Sequence, residues 1–439
     1  MITDIERAYN ALSAKARPYT QLFDYYDGDQ LLAYASRQLK EIFAGLDIIF
    51  VENWCAVVID ALKDRVNMTA VNADNKAINT FVKDNELILE SDDVHEGALV
   101  CGESFYIVWP DEEEKAEGYY NDPRLCHVFY QAEKPRQPEF APKWWVGEKD
   151  NLRYVTLYYP DRLEYYVSTK QYDKVTSARA LYLIGEAPNK YNQIPVFHFR
   201  LKRRKIISDL KSVLPLQNAV NKLLSNMMVA ADYGALKQRV VITDADIAGK
   251  LKNAPGEIWK IPAGDGVGQG TSVSEFDATD LTNYLSAIIN LSETIGAISG
   301  TPRQYFLRTS GDPSGEALIA MEAPLVKRAQ DRIDCFTPVW QQVLAFAARI
   351  NGETVETDDI IVQFDRPETV QPRTQAEIRE INMRSGIPLE ITLRDEGKTD
   401  AEIEVVMDAK RREAAAAKTA FSQALLDSRR GFDGGGATA

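Results

Sequence analysis

The spacing of apolar residues changes twice along this chain, and those changes restrict the possible folds more than any other feature. Apolar side chains recur every three to four residues through 31–43 and 54–62, which predicts helices over roughly the first 95 residues. Between residues 101 and 200 the pattern becomes short aromatic and β-branched runs separated by Pro, Gly, Asn and Asp, which is typical of a β-meander. Helical spacing then returns, so the sequence predicts an α+β fold. The predicted strands are 105–109, 125–130, 154–159, 163–167, 180–184 and 196–199.

Two apolar helices bracket a small insert in the middle of the chain. The first is predicted to begin near Ser208, with Pro215 bending or restarting it, and the second begins near Thr279 and Asp280. The sequence therefore predicts a small β-containing unit mounted on a pair of helices. The predicted elements of the insert are strands at 239–242 and 257–261, a short helix at 244–251 and an extended piece at 272–276.

A long helix is predicted from about residue 314 to residue 350, capped by Asp312 before Pro313. Pro324 and Pro338 should kink this helix rather than end it, because the apolar spacing continues past both. The remaining predicted elements are a strand at 360–364, a Pro-containing linker at 366–372, a charged and mainly helical region at 374–426 and a disordered tail at 427–439.

Charge limits what the surface of this chain can bind. The 439 residues contain 65 acidic and 51 basic side chains, for a net charge of −14. A protein that wraps nucleic acid with its general surface needs clustered Lys and Arg, so the sequence excludes that class, but not a protein past which DNA slides. The apolar runs are too short to span a bilayer. The four scattered cysteines are expected to be free, buried thiols.

No catalytic site, metal or cofactor is predicted. His127 and His198 lie in strand-like runs and are expected to pack there, and neither they nor His95 show the spacing of metal ligands. The Gly-rich stretch 264–270 is followed by a strand-like segment rather than a helix, so a flexible hairpin tip is predicted instead of a phosphate loop. The acidic runs 244–246 and 111–114 are interpreted as a helix start and a solvated turn.

Two groups of basic residues stand out in this acidic chain. The first is a run of four between the predicted sheet and the paired helices: Lys202, Arg203, Arg204 and Lys205. This run is compatible with a solvated connector and with contact to nucleic acid or to a neighbouring subunit. The second group flanks a Gly/Pro loop and the start of the long helix, where sparse phosphate contacts would be available. Its members are Arg303, Arg308, Lys327 and Arg328.

Several segments resemble those of one protein family in both order and spacing. They are GESFY at 102–106 leading to WPDE at 109–112, NQIPVFHF at 192–199, the helical stretch 208–223, and GTP at 300–302 followed by SGEAL at 314–318. Over residues 20–350 the chain resembles the portal proteins of long-tailed, siphophage-type bacteriophages. In that family the corresponding segments are an early sheet, the approach to the stem, the first stem helix, and the tunnel loop with the helix after it.

The resemblance implies a portal fold with an α/β wing, a helical stem, a small α/β clip and a helical crown, assembled as a dodecameric ring. The implied parts are a wing at 1–205, stem helices at 206–236 and 279–299, a clip at 237–278, a tunnel loop at 300–315, a long kinked wing helix with a return strand at 316–372, a crown at 373–426 and a disordered tail at 427–439.

The resemblance also implies a function and partners. The ring would be the channel for packaging DNA into the capsid and ejecting it, with Arg303, Arg308, Lys327 and Arg328 near the DNA. Implied partners are other copies of the chain, double-stranded DNA, the terminase, the head-completion adaptor and the major capsid or scaffold protein, with no membrane. The protein would be assembled in the host cytoplasm and reside at the portal vertex of the virion.

Two other functions share parts of this pattern. Another phage head or connector protein would have the same acidic, non-catalytic composition, and the number of subunits in a closed ring would distinguish it. A DNA-processing enzyme, such as a nuclease or a packaging ATPase, would need a carboxylate cluster or a phosphate loop, and the sequence contains neither at a diagnostic spacing.

Overall fold

The computed structural model describes residues 2–30, 52–235, 239–242, 272–275, 280–306, 314–368, 372–396, 398 and 400–433. Within them the fold is mixed α and β, as predicted. The α-helices are α1 (Asp4–Asp27), α2 (Trp54–Lys63), α3 (Lys76–Asp84), α4 (Leu87–Cys101), α5 (Leu214–Ala235), α6 (Thr282–Ser299), α7 (Gly315–Ile350), α8 (Pro372–Arg384), α9 (Leu389–Asp395) and α10 (Asp400–Asp433). The strands are β1 (Met68–Asn72), β2 (Glu103–Pro110), β3 (Ala116–Asn121), β4 (Phe129–Tyr130), β5 (Pro138–Val146), β6 (Leu152–Tyr158), β7 (Arg162–Gln171), β8 (Leu181–Pro188), β9 (Val196–Arg200), β10 (Arg239–Ile242), β11 (Ser272–Glu275) and β12 (Ile361–Phe364).

The strands between residues 103 and 200 form two sheets rather than the single meander predicted. Strands β4 to β8 make a five-stranded antiparallel sheet in sequence order, whereas β2 lies between β3 and β9 in a separate three-stranded sheet. The prediction missed β3, which contains glycine and ends in asparagine, and β5, in which Pro138 and Pro142 argue against a strand. It also missed β1, which lies in the region predicted to be helical and pairs with β12. The strand predicted at 125–130 is reduced to Phe129–Tyr130.

The largest core forms where α4, α7 and the three-stranded sheet meet. Trp340 of α7 is fully buried, and its ring centroid lies 4.6 Å from that of Phe199 in β9 and 5.3 Å from that of Tyr106 in β2. His95 of α4 stacks on Phe336 at 4.8 Å. Its Nε2 accepts a hydrogen bond from Trp340 Nε1 at 2.9 Å. This aromatic layer fixes the second half of α7 against the sheet and α4.

Helix α7 continues through both of its prolines, as the apolar spacing predicted. Its N-cap is Ser314, whose Oγ accepts from the Ala317 backbone N–H at 3.2 Å, so the prediction that Asp312 caps this helix is wrong. A serine in this position satisfies an N–H of the first turn that has no partner within the helix.

Helices α5 and α6 pack against each other, and both begin later than predicted. Ser208 is not the N-cap of α5, because its Oγ accepts from the Leu210 N–H at 2.9 Å within a turn. Pro215 instead lies in the first turn of α5, where its missing N–H is not needed. Asp280 precedes α6, and its Oδ1 accepts from the Thr282 N–H at 2.9 Å.

The insert and the C-terminal region match their predicted elements where the structure describes them. Strands β10 and β11 pair antiparallel, with Arg239 opposite Glu275. Helices α8, α9 and α10 occupy the predicted helical region, and α10 runs to Asp433, so disorder was wrongly predicted for 427–433. The predicted elements at 31–43, 244–251, 257–261 and 264–270 lie outside the described residues.

Candidate functional site

An irregular connector between β9 and α5 carries the four consecutive basic residues, which we call the basic tetrad: Lys202, Arg203, Arg204 and Lys205. All four side chains are exposed. Both flanks of the connector are fixed to the end of α4, because the Leu201 N–H donates to the Gly102 carbonyl and the Asp209 N–H donates to the Leu99 carbonyl, each at 3.2 Å. The tetrad is therefore displayed from a connector that is anchored on both sides.

Gly102 makes this anchoring possible. It follows the last residue of α4 in the left-handed region, at φ +89, a conformation that favours glycine. A Cβ added there would lie 2.6 Å from the backbone carbonyl carbon of Ile207. The connector can approach α4 this closely only because the residue has no side chain.

Charged groups of both signs lie on α7 near the tetrad. Burial raises the pKa of the Cys335 thiol, Arg332 and Arg203 oppose that rise, and Asp331 and Asp334 add to it. These groups therefore lie within electrostatic reach of one point on α7. The tetrad is bordered by carboxylates as well as by a further guanidinium.

Asp209 binds two arginines that are one helical turn apart on α7. Arg332 donates to it through Nη2 at 2.8 Å and Nε at 3.2 Å, and the Nη2 of Arg328 lies 3.1 Å from the same carboxylate. The Arg332 and Asp209 side chains are only 8% and 10% exposed, so this is a buried ion pair. Sequence analysis missed Arg332 and Asp209 as partners, although the spacing of Arg328 and Arg332 places both on one helix face.

The four predicted channel residues differ in their surroundings. Arg303 lies in a short 3₁₀ turn after α6, where its Nη2 contacts Glu293 Oε1 at 2.6 Å while the side chain stays 56% exposed. Arg328 is held by Asp209 as described above, whereas Lys327 beside it is exposed. Arg308 lies outside the described residues. The structure thus leaves Lys327 accessible and pairs Arg303 and Arg328 with carboxylates.

A second charged network, which the sequence did not predict, is buried beneath the three-stranded sheet. Glu103 of β2 is 2% exposed and accepts hydrogen bonds from Lys15 Nζ at 3.1 Å, Tyr19 Oη at 2.8 Å and His198 Nε2 at 2.8 Å. Burial by itself would raise the pKa of Glu103, but Lys15 and His198 outweigh burial and hold that pKa below its ordinary value. This network joins α1 to the sheet, with the Glu103 carboxylate buried at its centre.

The three histidines pack in the interior, as predicted for His127 and His198. Burial lowers the pKa of His95 to about 3 and that of His127 to about 4. Burial also lowers the pKa of His198, against the opposing effect of Glu103. All three imidazoles are therefore neutral at physiological pH.

The described residues contain neither a cluster of metal ligands nor a membrane-spanning helix. Among them, no group of three or more His, Cys, Asp or Glu side chains could hold a metal ion. In the same part of the chain, no helix has the length and apolarity needed to cross a membrane. A groove of about 570 Å³ lies between α7 and the segment after β12, lined by Ile333, Thr337, Phe364 and Arg366 among others.

These features define a class of protein: a mixed α and β protein with a large aromatic core, a buried ion pair between Asp209 and Arg332, and an exposed basic connector. The chain belongs to the family described as phage portal protein, SPP1 Gp6-like, whose sequence model matches residues 9–395. This confirms the resemblance seen in the sequence. Proteins of this family are structural components of phages, so the chain is not an enzyme.

Two curated relatives are named in agreement with the family. The chain is 27% identical over 99 residues to the portal protein of Mycobacterium phage D29 and 28% identical over 99 residues to that of Mycobacterium phage L5. Each alignment covers 22% of this chain and spans 20% of the relative's length.

Proposed function

We propose that this chain forms a closed, dodecameric ring at the portal vertex of a phage capsid, through which double-stranded DNA enters during packaging and leaves during ejection. The family match over residues 9–395 supports the portal role. The observation that carries ring assembly is the exposed apolar surface of α6.

Helix α6 is almost free of charge. Its one charged residue, Glu293, is paired with Arg303. Leu285 and Ile289, which are one helical turn apart on one face, are 48% and 41% exposed, although α6 already packs on α5. Ile298, on another face of the helix, is 52% exposed. Large apolar side chains grouped on one face favour a protein partner, because covering them removes apolar surface from water. A neighbouring copy in a ring would supply that cover.

The charge distribution suits a channel through which DNA slides. A net charge of −14 disfavours tight binding of a polyanion, since affinity for DNA depends on clustered cations. Lys327, together with Arg303 and Arg308 of the loop region, would add a few phosphate contacts that form and break as DNA moves. Because Arg303 and Arg328 are paired with carboxylates, their contacts with phosphate would be weaker than those of free arginines.

The remaining parts of the proposal concern partners and place. The insert that contains β10 and β11 would be the clip that binds the terminase during packaging and the head-completion adaptor afterwards. Helices α8 to α10 would form the crown, and outer wing surfaces would contact the capsid or scaffold protein. Assembly would take place in the host cytoplasm before incorporation into the virion.

Negative-stain imaging combined with light scattering of the purified chain tests this proposal. We expect rings with a central hole and a mass of roughly 590 kDa, which is twelve copies of a 49.3 kDa chain. Closed rings would also distinguish a portal from another head or connector component that does not close by itself. A monodisperse monomer that cuts or hydrolyses nucleic acid would contradict the proposal.

A further inference from the structure

Carboxylates are concentrated where the ends of α1 and α2 meet the middle of α4. We call this surface the acidic face, and it consists of Asp27, Asp29, Asp60, Asp64, Asp92, Asp93 and Glu96. Tyr26 Oη connects two of its members by donating to Asp60 Oδ1 at 2.8 Å and to Glu96 Oε2 at 3.1 Å. Asp29, Asp64 and Asp93 are exposed.

Nearby cations only partly compensate the acidic face. Lys63 contacts Glu96 at 2.6 Å, and Arg124 is engaged by Asp122. Burial and then neighbouring carboxylates raise the pKa of Asp27 and of Asp92, against the opposing effects of Arg124 and Lys63 respectively. An excess of like charge held in one place is stabilised when an opposite charge approaches.

The basic tetrad has the opposite character. Its four exposed cations stand on a connector anchored at both flanks to α4, the same helix that carries Asp92, Asp93 and Glu96 of the acidic face. Asp331 and Asp334 border the tetrad on α7, and they would repel a rod-shaped polyanion lying along this surface. A fixed cluster of this kind suits a partner of fixed, compact and acidic shape better than a duplex that slides.

We propose that the basic tetrad of one copy docks on the acidic face of the next copy in the ring. This inference rests on the ring assembly proposed above and identifies one of its contacts. In a closed ring every copy uses two different surfaces, one toward each neighbour. The tetrad and the acidic face are two such surfaces, and their charges are complementary. The contact adds to the apolar contact of α6 and selects the correct neighbouring surface.

Charge reversal in the full-length chain tests the contact. Variant one is Arg203→Glu with Arg204→Glu, and variant two is Asp64→Lys with Asp93→Lys. We expect each variant alone to form at least tenfold fewer rings than the unmodified chain in light scattering and negative stain at low salt. A chain carrying all four changes restores opposite charges at every contact, so we expect its rings to return.

A matched control separates this contact from a general effect of charge. Lys134→Glu with Arg136→Glu makes the same change in net charge at two exposed positions outside the tetrad, and we expect normal rings. Thermal unfolding of each variant checks that it folds. Mixing the two variants in equal amounts offers a second readout, because variants one and two should form alternating rings together when neither forms rings alone.

Three outcomes would overturn the inference. Rings of variant one that match the unmodified chain would remove the tetrad from the interface and leave ring assembly itself intact. Loss of DNA retention by variant one without loss of rings would assign the tetrad to DNA. An unmodified chain that stays monomeric at low salt would show that this contact does not hold copies together. The proposed ring would then be tested separately by assembling the chain with capsid or scaffold protein.

Discussion

At the scale of single residues, Gly102 is a position where any side chain should be strongly destabilising. It combines a left-handed φ of +89 with the Ile207 backbone 2.6 Å from the place of a Cβ. We expect Gly102→Ala to lower the free energy of unfolding by at least about 3 kcal/mol, measured by urea unfolding, since backbone strain and a backbone clash act together.

Gly352 provides the matched control for that substitution. Its φ is +83, but a Cβ would meet nothing within 4 Å. We expect Gly352→Ala to cost only about 1 to 2 kcal/mol, the strain of a left-handed alanine. Equal losses at the two glycines would show that the approach of the connector to α4 contributes nothing.

The arginines near the loop after α6 carry the prediction on DNA passage. Arg303 is paired with Glu293 on the surface, and an exposed pair of this kind contributes less than about 1 kcal/mol to stability. We therefore expect Arg303→Ala with Arg308→Ala to leave rings intact in negative stain but to reduce the amount of DNA packaged per particle. Normal DNA filling would exclude both arginines from the mechanism.

At the scale of elements, α6 carries the prediction on assembly. We expect Leu285→Lys with Ile289→Lys to leave helix content unchanged in circular dichroism and to shift the protein from rings to small species in light scattering. The physical reason is that two charges would have to be buried in the apolar contact between copies.

Ile381→Lys is a control for that variant, because Ile381 is also on a helix and is 60% exposed, but lies on α8, outside α6 and the acidic face. Rings should form normally in this variant. If the α6 variant assembled as well as the Ile381 variant, the apolar face of α6 would not be a contact between copies.

The elements also show where local patterns succeed and where they fail. Helix α7 was predicted through both prolines because its apolar stripe continues, and the structure agrees. Strand β5 was missed because two prolines weaken the local preference for a strand, while pairing with β6 along its length overrides that preference. The charge partners of Arg328 and Arg332 were not predictable, because Asp209 is distant in sequence.

At the scale of the whole molecule, the buried histidines and Glu103 make the fold sensitive to acid. The folded pKa values of His95 and His127 are about 3 and 4, below the ordinary value of 6.5, and the pKa of Glu103 lies below its ordinary 4.5. Groups with lowered folded pKa values stabilise the fold fully above their unfolded values and lose that contribution as the pH falls through the folded values.

We therefore expect stability to fall as the pH drops below 6.5, first through the histidines and then, below 4.5, through Glu103 as well. Between pH 6.5 and 5 each deeply buried histidine should account for roughly 1 to 2 kcal/mol. Urea midpoints measured across this range test the expectation. His95→Phe should reduce the slope against pH whatever its effect on overall stability, and an unchanged slope would contradict the assignment.

The sequence by itself determined the type of most of the main elements, although not of β1, β3 and β5, together with the net negative charge and the family resemblance. Periodicity and composition are local or summed properties, so they can be read without the tertiary structure. Only the tertiary structure decided that β2 leaves the meander to pair with β9, that Asp209 holds Arg328 and Arg332, and that Glu103 is buried with Lys15 and His198. Those outcomes depend on which distant segments meet when the core closes. A buried ion pair is stabilising only where the geometry of its two partners compensates for the loss of hydration. That geometry cannot be predicted from a local sequence pattern.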